Sequence, residues 1–339
     1  MKVSLIITTI NNYNENTKLF EKGCRINNWD FIIIGDKKTP NNFKLKYGHL
    51  YNLDSQKKLN FLLAKICPEN NYSRKNVGYL IGLSNNAEFI IETDDDNIPK
   101  KKFFSKINLT HKTKLIQNKS WINIYDLFIN DKKEKIWPRG LPLDEIFNNK
   151  LKISKKLIKK KFFLQQGVVE LNPDVDAIYR LLNKDIKIKF KNKKISLGRA
   201  LSTFNSQCTI WHKSIAILMY LPSTCSMRCT DIWRSLIALH LLKINNLEIL
   251  FFGTKMFQKR NYHNLMKDFN EEMPMYLNNK LIFNIIKKLK LKKGINFFSE
   301  NLIYIYSVLI KKKILKKKEL YYLKAWIKDF ENIKKLRQI

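Results

Sequence analysis

Three short apolar runs, each ending in polar residues and separated by helical patterns, constrain this chain more than any other feature of its sequence. Val3–Thr8 is rich in β-branched residues, Phe31–Ile34 is closed by Gly35-Asp36, and Glu88–Glu92 runs directly into Thr93-Asp94-Asp95-Asp96-Asn97. Runs of this kind read as strands buried on both faces. Between them, Leu59, Leu62, Leu63 and Ile66 recur at helical spacing behind Asp54, with Pro68 beyond the end. Ser73 then precedes a second helical pattern carrying Val77, Leu80, Ile81 and Leu83, which ends around Asn85-Asn86. Pro99 suits the first turn of a further helix. Strand and helix in alternation predict an α/β fold with a parallel, doubly wound sheet. Ligands of such sheets collect beyond the carboxyl ends of the strands, where this sequence puts Thr8-Thr9, Asp36-Lys37-Lys38-Thr39 and the acidic triplet.

The remainder is less regular. Trp121–Phe128, Phe162–Val169, Ser206–Trp211 and Leu247–Phe252 read as strands, and Asp174–Leu182, Ser214–Tyr220 and Asp231–Leu242 as helices. Beyond 275 the pattern is helical to the end, over Met275–Lys293, Ser299–Lys318 and Leu320–Arg337. There is no internal repeat.

Charge bounds the partners. Among 339 residues, 64 Lys and Arg face 29 Asp and Glu, a formal net charge of +35. Such an excess attracts polyanions and anionic lipid. Most of it is Lys, however, in a chain also rich in Asn and Ile, as an AT-rich coding sequence produces. No zinc-finger spacing, ribonucleoprotein motif or basic region with heptads accompanies it, so no specific nucleic-acid reading is expected. Residues 280–339 hold seventeen Lys or Arg against four Asp or Glu. Their amphipathic, basic helices suit an anionic membrane surface as well as a bundle with a solvated lysine face. Hydrophobic residues at 45% and aromatics at 12% are enough for packed cores, which excludes wholesale disorder. Five Cys do not form a disulfide framework, and Cys225 with Cys229, four apart, lacks the second pair that a zinc site needs. No window reaches the length of a membrane span. The apolar start, Met1–Ile10, is interrupted by Thr8 and Thr9 and followed by Asn-rich sequence with no small-residue cleavage site, so it reads as a strand rather than a signal peptide. The expected location is cytoplasmic, with at most peripheral membrane contact.

The acidic triplet carries the sharpest chemistry. Adjacent carboxylates repel one another, and a hard divalent cation such as Mg²⁺ or Mn²⁺ relieves the conflict through oxygen ligands. In a strand-end turn Asp94 and Asp96 can point one way and Asp95 another. Such a metal would bridge carboxylate and diphosphate; the alternative is a solvated acidic loop. Arg74-Lys75-Asn76-Val77-Gly78 opens the preceding helix, where an Arg fork and amide donors suit an anion and Gly78 allows close approach. Alone it would be an ordinary basic helix start. Paired with the acids at one strand–helix distance, it predicts a nucleotide pocket.

These pieces resemble a known family. Ile6-Ile7-Thr8-Thr9, Gly35-Asp36-Lys37-Lys38-Thr39-Pro40, Arg74 to Leu80 and Asp94-Asp95-Asp96-Asn97 look like the STELLO-type glycosyltransferases. More distantly they resemble the type-A nucleotide-sugar glycosyltransferases. Gln165-Gln166-Gly167, Pro173 to Arg180, Phe204-Asn205-Ser206-Gln207 and Asp231-Ile232-Trp233-Arg234-Ser235 extend the likeness over about residues 1–255. The helices beyond carry none of these motifs. The resemblance implies a Rossmann-like glycosyltransferase domain over 1–255, with a nucleotide-binding half (1–100) and an acceptor and catalytic half (120–255). A basic helical extension (270–339) would follow.

It further implies a divalent metal, Mn²⁺ or Mg²⁺, on Asp94 and Asp96, and a nucleotide-diphosphate sugar, UDP-linked by expectation. Thr8, Thr9, Asp36, Arg74, Asn76 and Asp95 would hold the nucleoside, ribose or sugar. The acceptor would be a glycan, lipid or protein. The plant members carry a membrane anchor ahead of this domain, and their Golgi location is not expected here. An inverting transfer needs a carboxylate base, for which Asp231 at its helix start is the candidate; a first-turn acid favoured by the helix dipole is the competing reading. Asp174 and Asp176 would touch the acceptor, or cap a helix and pair with Arg180. Trp233 would stack on a sugar or pack in the core, as would Trp211, and His212 would join the metal or lie partly buried. A sugar-nucleotide mutase or self-glycosylating protein is the alternative enzyme, and a basic membrane- or nucleic-acid-binding protein with a degenerate transferase domain the alternative from another class.

Overall fold

The computed structural model describes residues 1–129, 135–147, 150–183 and 185–337. In chain order the elements begin β1 (Val3–Thr9), α1 (Glu15–Asn27), β2 (Asp30–Gly35), β3 (His49–Tyr51), α2 (Leu53–Lys57), α3 (Leu62–Ile66), α4 (Lys75–Ser84) and β4 (Phe89–Asp94). They continue as β5 (Asn97–Pro99), β6 (Thr110–Leu115), β7 (Ile158–Lys161), β8 (Leu164–Gly167), β9 (Glu170–Leu171), α5 (Ala177–Leu182), β10 (Lys194–Ser196) and β11 (Thr209–His212). Then follow α6 (Thr230–Ile244), β12 (Ile249–Phe252), β13 (Met256–Gln258), α7 (Leu265–Lys287), α8 (Phe298–Lys311) and α9 (Glu319–Arg337). The chain divides into two compact units: the first comprises Met1–Asp95, Ile210–Thr230 and Lys290–Ile339, the second Asp96–Thr209 and Asp231–Leu289.

In the first unit the strands lie in the order β3-β2-β1-β4-β11. β1 pairs in parallel with β2 on one side and β4 on the other, and β2 pairs in parallel with β3. Leu5, Ile6, Ile32, Ile33, Ile90 and Ile91 are all buried, as strands covered on both faces require. Every residue from Lys75 to Leu83 of α4 is buried as well. Gly78 explains how the helix comes so near: a Cβ there would lie 2.5 Å from Ile6 Cγ2 and 2.9 Å from Ile34 Cγ1. That close approach is made toward the sheet rather than toward a ligand.

Carboxylates staple this unit together. Glu92, inside β4, accepts from the Tyr79 hydroxyl and from Trp211 Nε1 at 2.8 Å. The single helix expected behind Asp54 is two short ones, capped by Asn52 and, for α3, by a residue far away in sequence. Asp329 of α9 accepts the Leu62 and Leu63 amides at 2.9 and 2.8 Å, so a tertiary contact creates a helix start that local sequence does not encode. At the head of α9, fully buried Glu319 accepts from the Tyr220 hydroxyl and the Ser223 and Thr224 amides. α9 thereby packs on α3, α4 and α8, and the terminal helices from Lys290 onward belong to the same unit as the parallel strands.

The second unit is mixed. Its strands lie in the order β8-β12-β10-β6-β7; β12 runs parallel to β8 and β10 parallel to β6, whereas β10–β12 and β6–β7 are antiparallel. A second, small sheet has the order β5-β13-β9, so Pro99 closes a strand instead of opening a helix. From Asp231 to Leu242, α6 is buried at every position, as expected of a helix apolar all round. α5 packs against α7. The strand expected at Trp121–Phe128 is a 3₁₀ turn over Ile124–Leu127. Asn123 diverts it by accepting the Tyr125 amide and donating to the Ile136 carbonyl at 2.6 Å, the local competition that Asn side chains offer. Among the described residues no helix is long and apolar enough to cross a membrane.

Replacing Gly78 by Ala tests the α4–sheet approach. Ala is the better helix former by about 1 kcal/mol, but the methyl would overlap Ile6. The variant should be net destabilised by about 1–3 kcal/mol in urea unfolding; equal or greater stability would show that the helix can lift without penalty.

Candidate functional site

At the carboxyl end of the first unit's parallel strands, the register sets Thr8 opposite Asp94. The order β3-β2-β1-β4 means that the chain moves outward from β1 on one side and then returns to its other side. A crevice outside the strand ends forms at such a reversal. Thr9 Oγ1 and Asn11 Nδ2 both donate to Asp95 Oδ2, at 2.5 and 2.8 Å, and Asn16 Nδ2 reaches the Asp95 carbonyl at 3.4 Å. Burial raises the Asp95 carboxyl above its ordinary pKa, with the Thr9 and Asn11 hydrogen bonds opposing the shift.

Asp94 is a quarter exposed, and its neutralising partner is Lys75, whose side chain is fully buried. Lys75 Nζ donates to Asp94 Oδ1 at 2.9 Å, to the Thr93 carbonyl at 2.7 Å and to the Tyr72 hydroxyl at 2.6 Å; Tyr72 in turn donates to the same Asp94 oxygen at 2.6 Å. Both of these bonds to Asp94 end on Oδ1.

The other residues expected here hold the frame. Arg74 is buried, with Nε and Nη2 on Gln56 Oε1 at 2.9 and 2.7 Å and Nη1 on the Cys67 carbonyl at 2.8 Å. Asn76 is bonded both ways to the Leu221 backbone. Asp36 accepts the Asn70 and Asn71 amides at 2.9 and 3.0 Å, pinning the segment before α4 to the end of β2. The structure therefore gathers Thr8, Thr9, Asp94 and Asp95. The reading by sequence selected Arg74 where its neighbour Lys75 makes the contact, and it missed Asn11 and Tyr72.

In the second unit one guanidinium organises two of the expected acids. Arg139 binds Asp174 through Nε at 2.8 Å and Nη2 at 2.9 Å, and Asp231 through Nη1 at 3.1 Å and Nη2 at 2.9 Å. All three side chains are 5–6% exposed. Asn205 Nδ2 adds a bond to Asp174 at 2.9 Å, and the Ser206 amide and hydroxyl approach Asp231 at 3.3 Å. Removing the cation would strand two buried charges, so the trio is interdependent. Beside it lies a small pocket whose lining includes Arg139, Tyr125, Gln166, Thr203, Phe204 and Asn205.

Arg139 was also missed. A signal existed: only nine of the 64 basic residues are Arg, and Arg74, Arg139, Arg180 and Arg234 are all buried. In a lysine-dominated chain, Arg marks places where a planar fork is needed.

Asp96 is buried, with Oδ2 accepting from Gln258 Nε2 at 2.8 Å and its carbonyl accepting the Lys259 amide at 3.2 Å. Asp176 caps α5 through the Tyr179 amide at 2.8 Å and accepts Trp137 Nε1 at 2.7 Å. Trp233 is buried and donates to Asn279 Oδ1 at 3.0 Å. The geometry of both is that of core residues.

Among the described residues no group of three or more His, Cys, Asp or Glu stands ready to hold a metal. His212 Nδ1 contacts the Ser214 hydroxyl at 2.8 Å, and its ring lies edge-on to Phe89. A hard divalent ion that arrives with a diphosphate needs only one or two protein carboxylates, the remaining ligands being phosphate and water. The part-exposed carboxylate of Asp94, with its bonds from Lys75 and Tyr72 confined to one oxygen, fits that lesser demand.

A family model described as STELLO glycosyltransferases matches residues 228–336. Two proteins of Arabidopsis thaliana are similar. The one named probable glycosyltransferase STELLO1 is 26% identical over 247 residues, 68% of this chain and 32% of that protein. Probable glycosyltransferase STELLO2 is 28% identical over 231 residues, 62% of this chain and 30% of that protein. Over these spans the chain is similar to the STELLO glycosyltransferases. The aligned region spans less than a third of each relative's length. The match also corrects one expectation. The helices beyond 275, which showed no family motif by eye, lie within the STELLO span, as do Asp231, Glu319 and Asp329.

Burial drives the Asp176 carboxyl up to about 6, against the opposing bonds from the Tyr179 amide and Trp137. A raised native pKa makes the folded state bind the proton more tightly, so this residue's contribution is full below the unfolded value of about 3.9 and is lost as pH rises through 6. Urea unfolding between pH 4 and 7 should show wild type losing about 2–3 kcal/mol relative to Asp176→Asn, which keeps the cap without the charge. Parallel pH profiles would refute the assignment.

Proposed function

We propose that this chain is a STELLO-type glycosyltransferase that draws on a nucleotide-diphosphate sugar, UDP-linked by preference, with Mn²⁺ or Mg²⁺. It would pass the sugar to a glycan, lipid or protein acceptor. The observation carrying this reading is the pairing of Thr8 with Asp94 at the strand-order reversal, with Thr9 and Asn11 fixing Asp95 beside them. The names of both plant relatives, each a probable glycosyltransferase, support transfer chemistry.

In this proposal Thr8, Thr9 and Asp95 meet the ribose and sugar hydroxyls. Asp94 holds the metal, which when bound would supply positive charge against the diphosphate; Asp96, buried and bonded to Gln258, belongs to the second unit. Lys75 and Tyr72 orient Asp94. Asp36, Arg74 and Asn76 act on the nucleotide through the frame they hold rigid.

Asp231 is the proposed base of an inverting transfer. Arg139 and Ser206 fix its direction. The acceptor is assigned to the pocket beside Arg139, with Asp174 sharing that guanidinium; Asp176 and Trp233 support the pocket from the core. The six exposed lysines of Lys311–Lys313 and Lys316–Lys318 are proposed to meet anionic lipid at a cytoplasmic membrane face.

Asp94→Asn should remain folded and lose at least tenfold in Mn²⁺-dependent UDP affinity by calorimetry; undiminished affinity would sink the metal assignment. Asp231→Asn should retain UDP binding and lose about 10²–10⁴ in turnover, together with the acidic limb of the pH–rate profile. A variant that is merely less stable, with the limb preserved, would return Asp231 to a purely structural part.

A further inference from the structure

We infer that Gln207 and Gln258, with Asp96, form a carbohydrate-hydroxyl subsite in the second unit, an inference that rests on the glycosyltransferase reading. Asp96, Asn97, Gln207 and Gln258 are 8%, 0%, 6% and 6% exposed. β5 and β13 pair with Asn97 opposite Gln258, and Gln258 Nε2 donates to Asp96 Oδ2 at 2.8 Å. The carbonyl of that same amide consequently lies beside the Asp96 carboxylate. Asn97 Nδ2 donates to the Gln207 backbone carbonyl at 3.1 Å, and the Gln207 amide is held by Asn205 Oδ1 at 3.1 Å. Four polar residues, Asp96 just before β5, Asn97 in it, Gln258 in β13 and Gln207 before β11, are thus joined, and their backbones are fixed.

Two atoms in this group are anomalous. Gln207 Oε1 and Gln258 Oε1 are buried and accept no hydrogen bond among the described residues. A buried carbonyl without a donor forfeits its hydration and gains nothing in return, so native proteins retain few of them. Two such carbonyls, one on the amide that binds the Asp96 carboxylate, make a set of acceptors that lacks donors. Sugar hydroxyls supply what is missing, since each donates one proton and tolerates varied angles. A site built this way also discriminates sharply, because a ligand lacking the hydroxyl leaves the carbonyls unpaired. The sugar can come from the nucleotide donor or from a glycan acceptor, and both present the same chemistry.

Gln207→Leu separates function from packing. The substitution replaces an unpartnered acceptor with an apolar group of similar size, so the urea midpoint should hold or rise, whereas a structural glutamine would make it fall. Calorimetry with Mn²⁺ then compares UDP with UDP-glucose, UDP-galactose, UDP-xylose and UDP-arabinose, and separately measures a panel of methyl glycosides. At least a tenfold loss of UDP-sugar affinity with UDP itself unchanged identifies the donor's sugar. The same loss confined to a methyl glycoside identifies the acceptor. Gln207→Met and Gln258→Leu repeat the comparison should the first variant fold poorly. Sugar affinities equal to wild type in the variants, or no carbohydrate bound by wild type, overturn the subsite. Failure of wild type to bind UDP would instead refute the nucleotide reading, while the glycoside arm still judges the subsite.

Discussion

Parallel pairing of β1 with β2 on one side and β4 on the other is the constraint from which the first unit follows. Parallel strands need crossovers, and the crossovers cover both faces, so every side chain along β1 and β4 must be apolar or internally bonded. Polar chemistry is then confined to the strand ends. Thr8, Thr9, Asp94 and Asp95 are brought together because the sheet's main-chain register leaves them no other place. Lys75 completes the arrangement from the first turn of α4, reaching three oxygen atoms without any exposure of its own side chain.

A second theme is how a chain with so large a positive excess uses its few acids. Many serve as internal staples for backbone amides. Asp36 holds Asn70 and Asn71, Glu319 holds Ser223 and Thr224, and Asp329 holds Leu62 and Leu63. Glu21 likewise accepts the Lys46 and Tyr47 amides. A carboxylate accepting amide protons at a helix start or loop makes strong charge-assisted bonds, and here those bonds fasten segments far apart in sequence. Most lysines meanwhile remain outside, where solvation is easy, Lys75 being a buried exception. Arginine is scarce, and four of the nine are buried: the Arg139 fork can serve Asp174 and Asp231 together, which a single ammonium could not do with the same geometry.

Much of this was legible beforehand. The alternation of strand and helix, the parallel sheet and the strand-end position of the acids all followed from short-range pattern, because buried strands and amphipathic helices leave a periodic signature. The failures have identifiable causes. The helix expected from Asp54 is broken because Asp329, some 270 residues away, provides a second start. Trp121–Phe128 has strand composition, but Asn123 captures its own neighbourhood in a turn. Arg74 looked like the ligand-facing cation, yet a one-residue step around a helix moves a side chain by about 100 degrees, and Lys75 occupies the face that meets β4.

The sequence alone determined where strands could be buried and where charge had to surface, since hydrophobic periodicity and adjacent carboxylates are written into neighbouring residues. Only the tertiary structure decided which polar groups meet. The partnership of Arg139 with Asp174 and Asp231, the Lys75 bond to Asp94 and the unpartnered carbonyls of Gln207 and Gln258 depend on side chains brought close by packing. Hydrogen bonds act over about 3 Å in space, with no regard to distance along the chain, so no local pattern could have announced them.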